Sequence, residues 1–315
     1  MNLAQILSPA MRWIVGAVLL IEVVWTALYG FSVDWASFLP MLLAGVILVS
    51  AGIFYEKKRP TPAIQSMVNM TFFLLLITNL GAVLSYLLTS TALPLQDAHF
   101  AMIDNLFGFH WPDYMVWANE HPVVRNFLML AYQSSMFQIV AMVLILSAMG
   151  KFAALIHFSR AYVAAILLTL AISVFIPAMS ADAYFAPADN INFYLEHNHG
   201  VLRNEVFMGL REGTWRLITM EDVQGLVSFP SFHTCLAMLT AYAMRDHKWL
   251  FIGFAALNAV VIIGTISEGG HYLFDLFGGV IVAVFAIAVA HIAQRAESDQ
   301  PAEIRANPAF SLSGE

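Results

Sequence analysis

The sequence predicts an all-α, polytopic membrane helix bundle, and three observations carry the prediction. Hydrophobic residues make up 60% of the 315-residue chain and charged residues 11%, against about 25% charged in an ordinary soluble domain. Mean hydropathy is +0.75. Apolar runs near the ~20 residues that a helix needs to cross a bilayer recur along the chain. The single cysteine, Cys235, excludes an internal disulfide, and inside an apolar run it reads as a packing residue.

Eight spans are expected, at residues 12–30, 39–55, 69–89, 126–149, 161–180, 230–244, 249–267 and 271–292. The first follows Arg12 and reads as a retained span, because no convincing small-residue cleavage site follows it. The second and sixth are short. The fourth carries Tyr132, Gln133, Ser134, Ser135 and Gln138 in its outer half, placed to support a site or to hydrogen-bond between helices. The sixth opens at Pro230, whose missing N–H costs nothing in a first helical turn. Glu22 is intramembrane but isolated, and is not expected in the site. Residues 90–125 mix aromatics with polar groups and read as lying in the membrane interface. Residues 181–228 form the longest polar stretch, a length that is often functional. Ala296 to Glu315, with Pro301 and Pro308, reads as a flexible tail.

Eight spans put both termini on one side. Ten of the fourteen cations then fall on that side, from Arg12 through Lys57, Lys58, Arg59, Lys151, Arg160, Arg245, Lys248 and Arg295 to Arg305. Cytoplasmic loops carry the excess of Lys and Arg, so this side is cytoplasmic. The four outer cations, Arg125, Arg203, Arg211 and Arg216, are all arginine, whose planar fork matches phosphate oxygens.

Two short stretches carry the chemistry: Phe229-Pro230-Ser231-Phe232-His233 and Gly269-Gly270-His271-Tyr272-Leu273-Phe274-Asp275. Each puts a histidine at a helix start, and one intervening span sends both to the same face of the bilayer. His271 and Asp275 are spaced i, i+4 and share a helix face. The carboxylate can accept from one ring nitrogen and leave the other as nucleophile. His233 is placed as general acid. Ser231, the helix N–H groups and arginines can hold phosphoryl charge. The other reading of two histidines and an aspartate is a metal site, for which Glu196, His197, His199 and Glu205 show no recognisable ligand spacing.

These motifs resemble the type 2 phosphatidic acid phosphatase superfamily, which carries PSGH and SRxxxxxHxxxD signatures on a metal-free six-helix bundle. The resemblance implies His271 as nucleophile, Asp275 as its orienting partner and His233 as the acid, with a catalytic core over 69–292. Residues 1–68 are then two added spans, and 293–315 a cytoplasmic tail. Phe232 stands in the usual glycine position, and Thr265, with Gly264 before it, where an arginine is usual six residues before the nucleophile. No KxxxxxxRP element precedes the first motif. A PSxH with a threonine-bearing TxxxxxHYxxD run is similar to the branch that includes inositol phosphorylceramide synthases, which move a phospho-headgroup between lipids. The missing phosphate cations fall to Arg211 and Arg216, with Ser231 and Thr265 completing the phosphate set and Tyr132 and Gln138 in support.

The expected function is a metal-independent membrane phosphatase or phosphotransferase acting on a lipid phosphoester, through a phosphohistidine on the extracytoplasmic face. A lipid headgroup transferase is the alternative, and a proton-coupled transporter or flippase with a buried His–Asp relay is the reading from another class. No cofactor, metal or nucleic-acid partner is expected. The partners are a lipid phosphate or phospholipid substrate and the membrane lipids, and the oligomeric state is open.

Overall fold

The computed structural model describes residues 1–185, 200–221 and 226–298. The N-terminal part holds α1 (Leu3–Ile6), α2 (Pro9–Tyr29), α3 (Trp35–Lys57) and α4 (Pro62–Thr89). The expected interface segment folds into α5 (Asp97–Leu106) and α6 (Trp111–Glu120). The long α7 (Pro122–Ala148) and α8 (Phe152–Phe175) follow. The polar stretch after them contains α9 (Ala181–Phe185) and α10 (Gly200–Glu212), and the chain closes with α11 (Phe232–Ala243), α12 (Lys248–Glu268) and α13 (Leu273–Ser298).

Among the described residues seven helices are long and apolar enough to cross a membrane: α2, α3, α4, α7, α8, α12 and α13. The protein is an all-α, multi-pass membrane bundle. The sequence reading named eight such spans, and the sixth is the exception. With 12 residues, α11 extends about 18 Å at ~1.5 Å per residue, short of the ~30 Å hydrocarbon layer. It is instead the buried axle of the bundle, packed by α7, α8, α12 and α13. It and the turn through His247 return the chain to the far end, where α12 starts.

The fifth span begins at Phe152, not at residue 161. His157 and Ser159, between the fourth and fifth expected spans, are 2% and 0% exposed and face the bundle interior. The last helix continues to Ser298, so residues 293–298 belong to it rather than to a tail. Close packing of α4 on α8 depends on Gly81, where a β-carbon would run into Ile166. The outer helices α2 and α3 dock mainly on α4, and most of their surface is exposed.

One feature has no counterpart in the sequence reading. Ser32–Val33 (β1), between α2 and α3, pairs in parallel with Leu217–Ile218 (β2), just after α10. Ser32 N donates to Arg216 O at 2.9 Å and Asp34 N to Ile218 O at 3.0 Å. Ser37 Oγ accepts from Met220 N at 2.9 Å. The polar segment leading to the first histidine motif is therefore fastened to the N-terminal hairpin.

Candidate active site

The two histidine motifs meet at one end of the bundle. Ser231 N donates to Asp275 O at 3.0 Å, joining the start of α11 to the first turn of α13. Gly278 and Gly279 permit this approach: a β-carbon on Gly278 would strike Phe229 and Pro230, and one on Gly279 would strike the Ser231 carbonyl and Thr234. The Phe229–Pro230 peptide is cis, and Ser231, rather than Pro230, directly precedes the helix. The turn into the second motif needs Gly270, whose φ is +65° and whose α-carbon packs against the Asp182 carboxylate. Gly270 O accepts from Ala181 N at 2.8 Å, so α9 closes on this turn.

His271 is 4% exposed and Asp275 fully buried. His271 Nδ1 lies 3.0 Å from Asp275 Oδ2. The same oxygen accepts from Ser228 Oγ and from Tyr272 N, each at 3.0 Å. Two donors, Ser228 Oγ and Tyr272 N, already fix this oxygen as an acceptor toward His271. A carboxylate only accepts, so the imidazole proton sits on Nδ1 and the lone pair on Nε2. That is the form in which a histidine acts as a nucleophile.

Two further carboxylates hold the turn that carries His271. Asp104 accepts from Leu273 N at 2.8 Å and from Phe274 N at 2.9 Å, capping α13 from another helix. Asp97 accepts from Tyr272 Oη at 3.0 Å and from Met179 N and Ser180 N. Both come from α5, whose buried face is Asp97, Phe100, Ala101 and Asp104. The segment read as an interfacial loop thus grips the second motif. Burial pushes Asp104 up to about 6, against the lowering effect of its two backbone bonds. Burial also raises Asp97, against its bonds from Met179, Tyr272 and Ser180.

His233 is in the first turn of α11, half-buried, with its ring 4.7 Å from that of Tyr132 on α7. Tyr132 therefore orients the second histidine. Gln138 is elsewhere: its Oε1 accepts from Asn258 Nδ2 at 2.8 Å, and Asn258 also reaches Thr240, tying α7, α11 and α12 together. Thr240 stands seven residues past His233, about 10 Å down the helix.

The expected phosphate set is dispersed. Ser231 is fully buried and its Oγ accepts from Thr234 N at 3.4 Å as the N-cap of α11. Thr265 is fully buried, and its Oγ1 donates to Ile262 O at 2.7 Å within α12. Its carbonyl does shape the site, accepting from Gly269 N at 3.0 Å. Arg216 lies with its guanidinium 4.7 Å over the Phe31 ring, at the N-terminal hairpin. Arg211 is better placed. It lines a cleft with Ser85, Thr89, Ser173, Ser228 and Phe229, and donates to Leu93 O at 2.6 Å. Arg125 pairs with Asn119 and lies 4.0 Å from Glu268, at the end of α12 just before the glycine turn. Glu196, His197 and His199 fall outside the described residues.

Sequence reasoning missed Ser228, Asp97, Asp104, Tyr272 and the Gly278-Gly279 pair. Some signals were present. Asp97 and Asp104 stand seven residues apart, two helical turns, on a face otherwise apolar. Gly278-Gly279, inside the most apolar helix, is a mark of close backbone approach.

The two histidine motifs thus come together at one end of an α-helical membrane bundle, with His271 paired to Asp275. The sequence profile of the PAP2 superfamily matches residues 98–289, and the chain belongs to that superfamily. Its members are phosphatases and phosphotransferases, which supports phosphoester chemistry at this site. Among curated proteins and among solved structures, none matches the chain.

Proposed function

We propose that the protein is a membrane enzyme that cleaves or transfers a lipid phosphoester through a phosphohistidine on His271. One observation carries the reading most: the Nδ1 of His271 is tied at 3.0 Å to a carboxylate oxygen that two other donors hold in place. His271 Nε2 attacks phosphorus, and the bond from phosphorus to the leaving oxygen breaks. His233, beside Tyr132, delivers a proton to that oxygen. It then takes a proton from water, or from an acceptor alcohol, whose oxygen breaks the P–N bond. Asp275 supports the charge that the imidazole gains in the first step. Arg211, which reaches the cleft beside Ser228, is the phosphate cation of this reading, and no metal takes part.

Both histidines stand at helix ends rather than in mid-helix. That favours an interfacial enzyme site over a midplane relay with opposed access. The excess of cations at the other side supports an extracytoplasmic site with both termini cytoplasmic.

The test is phosphate release from a panel of labelled lipid phosphates by purified protein, with and without acceptor lipids. His271→Ala should release none, and wild type should accumulate an acid-labile, base-stable phosphoryl adduct on His271. Unchanged turnover in the variant sinks the assignment. Labelled phosphate in solution identifies hydrolysis, and label on the acceptor lipid identifies headgroup transfer. Activity should survive chelators.

A further inference from the structure

Two polar groups of α2 have no hydrogen-bond partner among the described residues: Glu22 Oε1 and the Trp25 indole N–H. Glu22 is 8% exposed, deep in a helix that docks on α4. The two residues stand three apart and so share one helix face. That face continues through Val18 and Val15, which line an apolar groove with Leu80 and Leu84 of α4 and with Val163 and Ile166 of α8. The groove's walls follow α4 and α8 over eight residues each, from Ile77 to Leu84 and from Val163 to Leu170, about 10 Å. Glu22 lies one turn past Val18, toward the active-site end. Further along, α4 and α8 line the cleft that ends at Ser228.

An unmatched carboxyl inside a membrane helix is costly, and marks a functional site by default. The chemistry of the pair restricts what can match it. The indole N–H only donates. A carboxylate only accepts, and a carboxylic acid does both. An ammonium group cannot accept from the indole, and an ester carbonyl has no proton for a carboxylate. A hydroxyl accepts from Trp25 and serves Glu22 in either protonation state. Hydrocarbon suits the groove beside it. We propose that the seam of α2, α4 and α8 is a binding site for a neutral long-chain alcohol of the bilayer, its hydroxyl between Glu22 and Trp25 and its chain in the groove. Both α2 and α4 precede the segment matched to the superfamily, while α8 lies within it.

Photolabelling tests this in the full chain, reconstituted in phosphatidylcholine nanodiscs. The probes are a diazirine-bearing fatty alcohol, its O-methyl ether, and a diacylglycerol with the same diazirine; labelling by either alcohol supports the site. Peptides of α2 and α4 should be labelled by the alcohol about two- to tenfold more than by the ether, as loss of one hydrogen bond implies. Glu22→Leu and Trp25→Phe should lower labelling on the same scale, and Glu22→Gln, which keeps a donor and an acceptor, should restore it. Trp25→Phe keeps the ring and removes one N–H, so it stands as the test even where Glu22→Leu fails to fold. Equal labelling by alcohol and ether, or labelling indifferent to Trp25→Phe and Glu22→Leu, overturns the proposal.

Discussion

Replacing Asp104 by alanine strips the first turn of α13 of two backbone acceptors. Its carboxylate takes Leu273 N at 2.8 Å and Phe274 N at 2.9 Å and is 2% exposed. A capping side chain lost to alanine costs about 0.5–2 kcal/mol, and a buried donor left unsatisfied about 1–3 kcal/mol. Two donors in one half-buried turn put the loss at about 2–4 kcal/mol. Asp104→Asn keeps one acceptor oxygen and should lose about half as much. If the loss is local, the amides of Leu273 and Phe274 should exchange with solvent about 30- to 900-fold faster in the alanine variant, since ~1.36 kcal/mol is a factor of ten. Hydrogen-exchange mass spectrometry of a peptide covering residues 269–280 measures this. Because these residues follow His271 directly, kcat should fall with the protection while KM moves little. Unchanged exchange in the alanine variant, or fast exchange with full kcat, refutes the idea that α5 holds the nucleophile.

Four more predictions draw on the same geometry. Asp104 binds its proton more tightly in the fold than in the unfolded chain, so its contribution to stability falls as pH rises from about 4 to about 6; pH-dependent thermal unfolding should show a steeper fall over that range in wild type than in Asp104→Asn. Ser228→Ala removes one of three donors to Asp275 Oδ2 and should cost about 1.5–3 kcal/mol in kcat, roughly ten- to a hundredfold; a variant with wild-type turnover would show that the serine is a bystander. Arg211→Ala should lower kcat/KM by about 2.7–4 kcal/mol, the scale of a lost transition-state donor, whereas Arg216→Ala should lower thermal stability and leave kcat/KM nearly intact; steady-state kinetics beside melting curves separates the two. Gly279→Ala sets a methyl group against the Ser231 carbonyl and should destabilise by about 1–3 kcal/mol, measured by denaturant unfolding in detergent.

Much of the fold was legible because membrane helices announce themselves by length and hydropathy. The errors came where burial and hydropathy part company. His157 and Ser159 fall between two expected spans, yet both are buried in the bundle interior, where Ser159 Oγ donates to Ile156 O. The short α11 read as a span because it is apolar, yet its apolarity serves packing among four other helices. At the site, the His271–Asp275 pair was visible because its spacing is local. Asp97 and Asp104 act across about 170 residues of sequence, and no local pattern encodes that reach. Side and proximity in sequence point to both Arg211 and Arg216, with Arg211, beside Gly213, first. Tertiary structure separates them, laying one beside the cleft and the other on Phe31.

The strand pair between Ser32–Val33 and Leu217–Ile218 bears on where this enzyme can be cut. A shortened protein starting at Pro62 would keep the whole matched segment, 98–289, and every residue of the His–Asp pair. It would also discard the edge on which residues 216–220 are hung, and uncover the ring beneath Arg216. Tyr86 of α4 would still hold Leu217 O, but the strand partner of Leu217 and Ile218 would be gone, upstream of the serine that braces Asp275. In sequence the N-terminal hairpin is a prefix. In the cooperative unit that melts or is inherited as a whole, it is a strut.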